Sequence, residues 1–277
     1  MKNLYYILIL FCIINDLDWC TTIPYFDYSG KKIFYQFNKN KSQNNLIFIH
    51  GSGGNSNIWK NQLKFKTDLN IYALDLPSHN NSDKFLELSL DLYVDVIKKF
   101  VNFLGLKRVI LCGHSLGGAV IQSYYFKYPL DIRALILIGT GGRLRVSPSI
   151  LEDLKKNFQA YLENTEMAFH IKTSKVVIEN FKNELLKTNP SVIHTDFKIC
   201  DNFDMLDKTS TIDIPCLIIV GNSDNLTPVK YSEFFNEKIK TSELVIIEKA
   251  GHIVMLEQPK KVNKTIENFI NNNLKNI

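Results

Sequence analysis

From Ile33 onward, short apolar runs rich in β-branched residues alternate with segments of helical periodicity. This alternation is typical of a mostly parallel sheet that is covered by helices on both faces. We therefore expect an α/β fold with an eight-stranded sheet, whose first two strands form a hairpin at the Ser-Gly turn of residues 29–30. The predicted buried strands are residues 46–49, 71–74, 108–112, 134–138, 216–220 and 244–247, and a last helix is predicted from Pro259 to about residue 274.

The strand rhythm stops over residues 142–213, where amphipathic helical stretches such as 150–162 and 176–186 replace it. The chain length of 277 residues is near the upper limit for one hydrophobic core. The sequence thus predicts one core domain, made of residues 21–141 and 214–277, that is interrupted by a helical insertion.

The N-terminus carries a hydrophobic segment, in which Lys2 precedes an apolar run at residues 4–14. This arrangement resembles the start of a secretory signal, although residues 15–20 contain no small-x-small cleavage pattern. Residues 1–20 are therefore interpreted either as an export or anchoring segment or as an N-terminal packing segment. A misassigned upstream start is the third alternative.

The overall composition excludes several classes of protein. Apolar residues make up 45% and charged residues 22% of the chain, as in soluble globular proteins. No stretch reaches the ~18 apolar residues that a spanning helix needs, so we expect no stable membrane insertion. The net charge of +5 comes from lysines that are spread along the whole chain without a basic patch, so no nucleic-acid partner is expected.

The five cysteines are an odd number and follow neither a metal-binding nor a Cys-x-x-Cys spacing. Two of them, Cys112 and Cys216, fall inside predicted buried strands, where a free thiol behaves as a small hydrophobe. This pattern fits a reducing compartment. A cytoplasmic location is therefore expected, with export or membrane anchoring through residues 1–20 as the alternative.

The sequence Gly-His-Ser-Leu-Gly at residues 113–117 follows a predicted strand and leads into a helical segment. In this context a Gly-x-Ser-x-Gly pattern predicts a nucleophile elbow, in which the glycines avoid clashes around a strained serine. Ser115 is the predicted nucleophile, and the alternative of a turn with a capping serine explains the glycines only in part. Leu116 N–H, at the start of the helix, is one predicted oxyanion donor. We expect the second to be Ser52 N–H, in the glycine-rich residues 50–54.

A serine hydroxyl is a weak nucleophile at neutral pH and needs a neutral imidazole that is held by an acid. His252 is the strongest candidate among six histidines, because it follows the last predicted strand at the same sheet edge as the elbow. Asp224 follows the strand at residues 216–220, which gives the chain order Ser, Asp, His that is associated with this architecture. Asp75 also ends a strand, but it precedes Ser115 and is the weaker candidate.

These motifs resemble those of the α/β-hydrolase superfamily, in particular its small esterase, lactonase and C–C hydrolase-like members. The resemblance covers about residues 22–277 and implies that residues 142–213 form a helical cap over the site. One loop departs from the family, since Asp-Leu-Pro-Ser-His-Asn at residues 75–80 replaces the usual Asp-Leu-Pro-Gly-His-Gly. Asn tolerates positive φ, so we expect the turn to be kept. The other shared motifs are residues 50–51, 113–118, 221–228, 251–252 and 256–259.

The expected function is therefore that of a serine hydrolase, which cleaves a carboxylic ester or related acyl bond of a small molecule through an acyl-enzyme on Ser115. No cofactor and no metal are expected. A C–C bond hydrolase or a lactonase with the same three residues is the first alternative, and a low-turnover ligand-binding protein on the same fold is the second. Arg143 and Arg145 are expected either to bind a substrate carboxylate or to form ion pairs at the cap hinge. The predicted pocket residues are Gly51, Trp59, Arg143, Leu226 and Met255.

Overall fold

A computed structural model describes residues 24–40, 42–65 and 67–274 of the chain. Within these ranges eight strands form one sheet in the order 1-2-4-3-5-6-7-8. The pairings of β1 with β2 and of β2 with β4 are antiparallel, and the other pairings are parallel. This architecture confirms the predicted fold. The strands are β1 (Tyr25–Tyr28), β2 (Lys31–Asn38), β3 (Asn45–Ile49), β4 (Asn70–Leu74), β5 (Val109–His114), β6 (Ile132–Ile138), β7 (Cys216–Gly221) and β8 (Ser242–Ile247).

The hairpin between β1 and β2 turns at the predicted Ser-Gly pair. Ser29 has φ 53° and Gly30 has φ 85°, so both central residues have positive φ, as a two-residue hairpin turn with the twist of its strands requires. A glycine at the second position adopts such a φ without steric cost.

Helices cover both faces of the sheet. Alternate residues of a strand point to opposite faces. Accordingly Ile47 and Ile49 of β3 belong to the apolar cluster that includes α1 and α2, whereas Leu46 and Phe48 belong to the cluster that includes Trp59 and α9. The helices are α1 (Leu90–Phe103), α2 (Leu116–Lys127), α3 (Pro148–Lys156), α4 (Phe158–Asn164), α5 (Lys175–Leu185), α6 (Pro190–Asn202), α7 (Val229–Lys238), α8 (Val254–Glu257) and α9 (Pro259–Asn273).

Between β6 and β7 the chain forms the helices α3 to α6, and we call residues 142–213 the cap. The predicted helical stretch at residues 150–162 is divided into α3 and α4 at Asn157, whose φ of −148° is not helical. The Asn157 side chain accepts a hydrogen bond from Ala160 N and thereby caps α4. The cap has a small apolar cluster of its own, which consists of Leu154, Tyr161, Leu162, Leu185 and Ile193.

The loop after β4 keeps its turn although it lacks both glycines of the family pattern. Ser78 and Asn80, which replace them, have φ values of 69° and 42°. Asp75 stabilises this loop, because its carboxylate accepts hydrogen bonds from Ser56 N, Asn80 Nδ2 and Asn81 N at 2.7, 2.9 and 3.1 Å. Asp75, the weaker candidate for the acid that orients the histidine, therefore binds donors of its own loop and of Ser56.

The hydrophobic segment predicted at residues 1–20 lies outside the described residues, as do Cys12 and Cys20. In the part of the chain that the structure describes, no helix combines the length and the apolar character needed to cross a bilayer. Cys112 and Cys216 are fully buried in β5 and β7, as their apolar surroundings predicted.

Candidate active site

Ser115 lies at a tight turn between β5 and α2. Its φ of 52° and ψ of −116° are strained for a residue with a side chain. The neighbouring glycines make this turn possible, since a Cβ at Gly113 would lie 2.3 Å from the carbonyl oxygen of Gly117. A Cβ at Gly117 would lie 2.3 Å from the carbonyl oxygen of Ile49. The geometry is therefore that of a nucleophile elbow.

Asp224 follows β7 and is almost completely buried. Its Oδ2 accepts hydrogen bonds from His252 Nδ1 at 2.9 Å and from Thr227 Oγ1 at 2.8 Å, and its Oδ1 accepts from Leu226 N and Thr227 N. Burial alone would raise the pKa of Asp224, but His252 and Thr227 outweigh it, so that the pKa lies below its ordinary value. The ionised carboxylate accepts the proton of His252 Nδ1, which leaves Nε2 as the basic nitrogen.

Ser115 and His252 border the same cavity. A hydrogen bond shows that their backbones are close. Nε2 of His114, the residue before the serine, lies 3.0 Å from the main-chain oxygen of His252. Within the described residues the His252 ring bonds Asp224 and Thr227, and no hydrogen bond joins it to Ser115 Oγ. In enzymes without ligand such catalytic contacts are often long and tighten with substrate.

The two predicted oxyanion donors belong to two segments that adjoin the serine. Leu116 N–H is in the first turn of α2, where backbone N–H groups have no partner within the helix. Ser52 N–H belongs to the loop after β3 and has no hydrogen-bond acceptor among the described residues, whereas its neighbour Gly53 N–H does. Gly51 brings this loop against the nucleophile, since a Cβ there would lie only 3.1 Å from Ser115 Cβ.

The cavity has a volume of about 300 Å³ and lies between the sheet edge and the cap. Its lining is mainly apolar and includes Ile58, Phe181 and Phe197. Of the residues predicted to line the pocket, Gly51 and Leu226 do so. Arg145 also lies in the lining, and its guanidinium is hydrogen-bonded to the main-chain oxygen of Asp201.

Three of the predicted pocket residues lie elsewhere, which corrects the sequence-based interpretation. Trp59 is fully buried against Phe48, with ring centroids 4.6 Å apart. Met255 is fully buried in the core on the same face of the sheet. Arg143 pairs with Asp204 through Nε and Nη2, each at 2.6 Å, so the structure supports the ion-pair alternative for this residue.

The other histidines near the site have structural contacts. His50 Nε2 accepts a hydrogen bond from Leu76 N, and His79 pairs with Asp196 of the cap. Burial lowers the pKa of both His50 and His114 to about 3, which keeps these rings neutral. In the described ranges, His, Cys, Asp and Glu side chains form no group of three or more that could hold a metal ion.

The structure also brings to the site residues that sequence reasoning missed. Glu257 orders the loop of His252, because its carboxylate accepts hydrogen bonds from Gly251 N at 2.8 Å and from His170 N of the cap at 2.8 Å. His252 N itself donates to Ala168 O of the cap at 2.6 Å. Glu257 belongs to the shared motif at residues 256–259, so the sequence contained a signal that could have identified it. Asp196, on α6, has no such motif around it.

The sheet order and the strained serine together define an α/β protein of the hydrolase type. The model of the alpha/beta hydrolase family matches residues 46–265, so the chain belongs to this family. A solved structure described as a thermophilic esterase is 38% identical, covers 90% of this chain and 96% of its own, and has a TM-score of 0.80.

Two curated relatives extend the comparison. A putative esterase/lipase of Mycoplasma pneumoniae is 27% identical over 256 residues, which are 86% of this chain and 93% of that protein. The pimeloyl-[acyl-carrier protein] methyl ester esterase of Wigglesworthia glossinidia brevipalpis is 28% identical over 245 residues, which are 82% of this chain and 93% of that protein.

Proposed function

We propose that this protein is a serine hydrolase that cleaves a carboxylic ester of a small molecule through an acyl-enzyme on Ser115. The observation that carries the proposal is the hydrogen bond of 2.9 Å between His252 and the buried Asp224, at a cavity that Ser115 also borders. The similarity to proteins named as esterases supports the choice of an ester as substrate.

In the first half of the reaction, Ser115 Oγ attacks the ester carbonyl carbon while His252 Nε2 takes the hydroxyl proton. The carbonyl oxygen becomes an oxyanion, to which Ser52 N–H and Leu116 N–H donate hydrogen bonds. Asp224 stabilises the imidazolium through Nδ1. The bond to the leaving oxygen then breaks, and this oxygen takes the proton from Nε2 and departs as an alcohol.

In the second half, water replaces the alcohol in the cavity. His252 Nε2 takes one proton of the water as its oxygen attacks the acyl carbon, and the same two N–H groups stabilise the second oxyanion. The bond between the acyl carbon and Ser115 Oγ breaks, and Oγ regains the proton from Nε2. The carboxylic acid leaves, and these steps need neither a cofactor nor a metal.

The lining of the cavity supports an uncharged acyl group as the preferred substrate portion. Arg145 is the only Lys, Arg, Asp or Glu among the described lining residues, and its guanidinium is already hydrogen-bonded. A cationic group inside the cavity would therefore lose its hydration without gaining a partner of opposite charge, and an anionic group would compete for Arg145 with Asp204, whose carboxylate lies 3.9 Å from the guanidinium.

A fluorophosphonate probe tests the nucleophile. We expect a covalent adduct at Ser115 by peptide mass spectrometry, and none in Ser115→Ala. Ser147→Ala is the matched control, because Ser147 also borders the cavity but is not at the elbow, and it should be labelled like the wild type. Folded wild-type protein without an adduct at Ser115 would overturn the proposal.

A substrate panel tests the bond. We expect turnover of p-nitrophenyl esters with acyl chains of different lengths, in preference to lactones and vinylogous diketones. Turnover of lactones or diketones without turnover of open-chain esters would instead support the lactonase or the C–C hydrolase alternative.

A further inference from the structure

One face of the cap helix α6 lies against the loop that carries the proposed oxyanion donor Ser52. We call residues 51–54 the oxyanion loop. Ile193, Asp196 and Cys200 are spaced by three and four positions, so their side chains project from the same face of the helix. All three are buried, and each of them touches or approaches the oxyanion loop.

Asp196 makes the most specific of these contacts. Its Oδ2 accepts hydrogen bonds from Gly53 N at 2.8 Å and from His79 Nε2 at 2.8 Å, and its Oδ1 accepts from Tyr93 OH at 2.6 Å. The three donors belong to three separate segments of the core: the oxyanion loop, the loop after β4, and α1. A fully buried carboxylate is tolerated only when its oxygens are hydrogen-bonded in this way.

The other two residues hold the loop from either side of this contact. Cys200 Sγ lies 3.5 Å from Ser52 Oγ. Gly53, with φ 66°, leaves so little space that a Cβ there would lie 2.8 Å from Ile193 Cγ1. The helix therefore contacts the side chain of Ser52 and the backbone of the next residue, whereas Ser52 N–H has no acceptor among the described residues.

We propose that Asp196 is a positioning residue for catalysis, which holds the oxyanion loop so that Ser52 N–H points at the developing oxyanion. The peptide group whose N–H Asp196 binds directly follows the peptide group that carries Ser52 N–H. Small displacements of catalytic groups are costly, because the donor must lie close to the position of the oxyanion rather than of the ground-state carbonyl oxygen. The cap thus contributes to the reaction through the backbone of the core. This inference rests on the proposed function of Ser115 and Ser52.

A purely structural role makes a different prediction. If Asp196 only joined the cap to the core, its loss would lower stability and leave the kcat of the folded enzyme unchanged. If it positions the oxyanion loop, its loss lowers transition-state stabilisation in the folded enzyme as well. The two roles are separated by kinetics on folded protein together with the binding of a tetrahedral analogue.

The decisive variant is Asp196→Asn, which keeps the shape but replaces one of the two acceptor oxygens by an amide donor, so that the three donors around it can no longer all be accepted. With a p-nitrophenyl ester we expect kcat to fall by roughly 10 to 10², with KM nearly unchanged, because the weakened contact positions a donor that acts in the transition state. The affinity for a boronic acid, which forms a tetrahedral adduct on the serine, should fall by a similar factor. The affinity for an unreactive amide analogue of the substrate should stay the same.

Glu184→Gln is the matched control. Glu184 is also a cap carboxylate that accepts a hydrogen bond from the core, from Asn57 Nδ2 at 2.9 Å, but it makes no contact with the oxyanion loop in the described structure. Its kcat and boronic acid affinity should equal those of the wild type. A change in this control as large as that in Asp196→Asn would overturn the proposal.

The outcomes separate this proposal from the proposed function. Wild-type protein without turnover and without a fluorophosphonate adduct contradicts the proposed function itself. Wild-type turnover with an unchanged kcat in folded Asp196→Asn contradicts only the role of Asp196. If Asp196→Asn does not fold, the test is Tyr93→Phe, which leaves Oδ1 of Asp196 without its donor and so loosens the carboxylate that binds Gly53 N through Oδ2. A joint fall in kcat and boronic acid affinity supports positioning, and unchanged values overturn it.

Discussion

Nδ1 of His252 lies 2.9 Å from Oδ2 of Asp224, although 28 positions separate the two residues along the chain. The loops after β7 and β8 meet because these strands are parallel neighbours and end at the same edge of the sheet. Thr227 strengthens the arrangement, since it donates hydrogen bonds to Asp224 from both its main chain and its hydroxyl. The imidazole is therefore oriented by the core before any substrate enters.

Replacing Asp224 tests this orientation directly. In Asp224→Asn we expect kcat for ester hydrolysis to fall by roughly 10⁴-fold, because an amide favours the wrong tautomer of His252. The control is Asp75→Asn, which removes the other buried acid at a strand end. Asp75 does not contact His252, so its replacement should lower the urea midpoint while the folded fraction keeps its kcat. A fall in kcat that is larger in Asp75→Asn than in Asp224→Asn would contradict the assignment.

The elbow predicts a steric effect at Gly117. A Cβ there would lie 2.3 Å from the carbonyl oxygen of Ile49, which is backbone and has little freedom to move. Gly117→Ala should therefore lower the free energy of unfolding by on the order of 3 kcal/mol, as measured by urea denaturation.

Gly30→Ala separates this clash from conformational strain alone. Gly30 has φ 85° and no atom within 4 Å of an added Cβ, so only the backbone preference is lost, at a cost of about 1 to 2 kcal/mol. A Gly117→Ala variant as stable as the wild type would show that the clash at Gly117 is relieved.

The buried His114 predicts a pH effect on stability. Its pKa is lowered from 6.5 to about 3, chiefly by burial and also by the nearby His252. Between these two pH values the unfolded chain binds a proton at this residue that the folded chain does not. Acid therefore favours unfolding in this window, by up to about 1.4 kcal/mol per pH unit from this one group.

His114→Gln removes that proton uptake, and its amide can still donate to the main-chain oxygen of His252. We expect the free energy of unfolding of the variant, relative to the wild type, to increase as the pH falls from 6.5 towards 3. Urea denaturation over a pH series measures this difference. A difference that stays constant with pH would contradict the assignment of a neutral, buried His114.

The position of Phe181 leads us to expect that it limits the length of the acyl chain. Phe181 and Ile58 border both the cavity at Ser115 and a second groove of about 240 Å³ outside it, so they form part of the wall between the two. Phe181→Ala should let longer acyl chains pass, and kcat/KM for long-chain p-nitrophenyl esters should rise relative to short-chain esters by roughly tenfold. Val177→Ala, which changes only the groove, should leave the preference unaltered.

The sheet and the elbow could be predicted because their signals are local. Each buried strand is a short apolar run, and the Gly-x-Ser-x-Gly pattern between β5 and α2 reflects the steric limits of a single turn. The loop after β4 depends on backbone preference in the same way, and Ser78 and Asn80 adopt the positive φ of the glycines that they replace. The hydrogen bond between Asp224 and His252 was predictable because parallel strands end at one edge.

The pocket and the cap contacts were harder to predict because they depend on where side chains point in three dimensions. Trp59 follows the oxyanion loop closely in sequence, but a short helix at Ser56–Trp59 directs its ring onto Phe48. Asp196 binds donors that lie 103, 117 and 143 positions away. Nothing in the sequence of α6 indicates which of its polar side chains is buried.

The hydrogen bond from His252 N to Ala168 O has a consequence for engineering. Residue 168 belongs to the inserted segment and residue 252 to the scaffold, so a chimera that carries the insertion of another family member has to re-form this bond from its own main chain. Grafts that retain residues 168–170 together with Glu257 keep the native anchor of the histidine loop. Such grafts would be the practical starting point for transplanting a new specificity onto this scaffold.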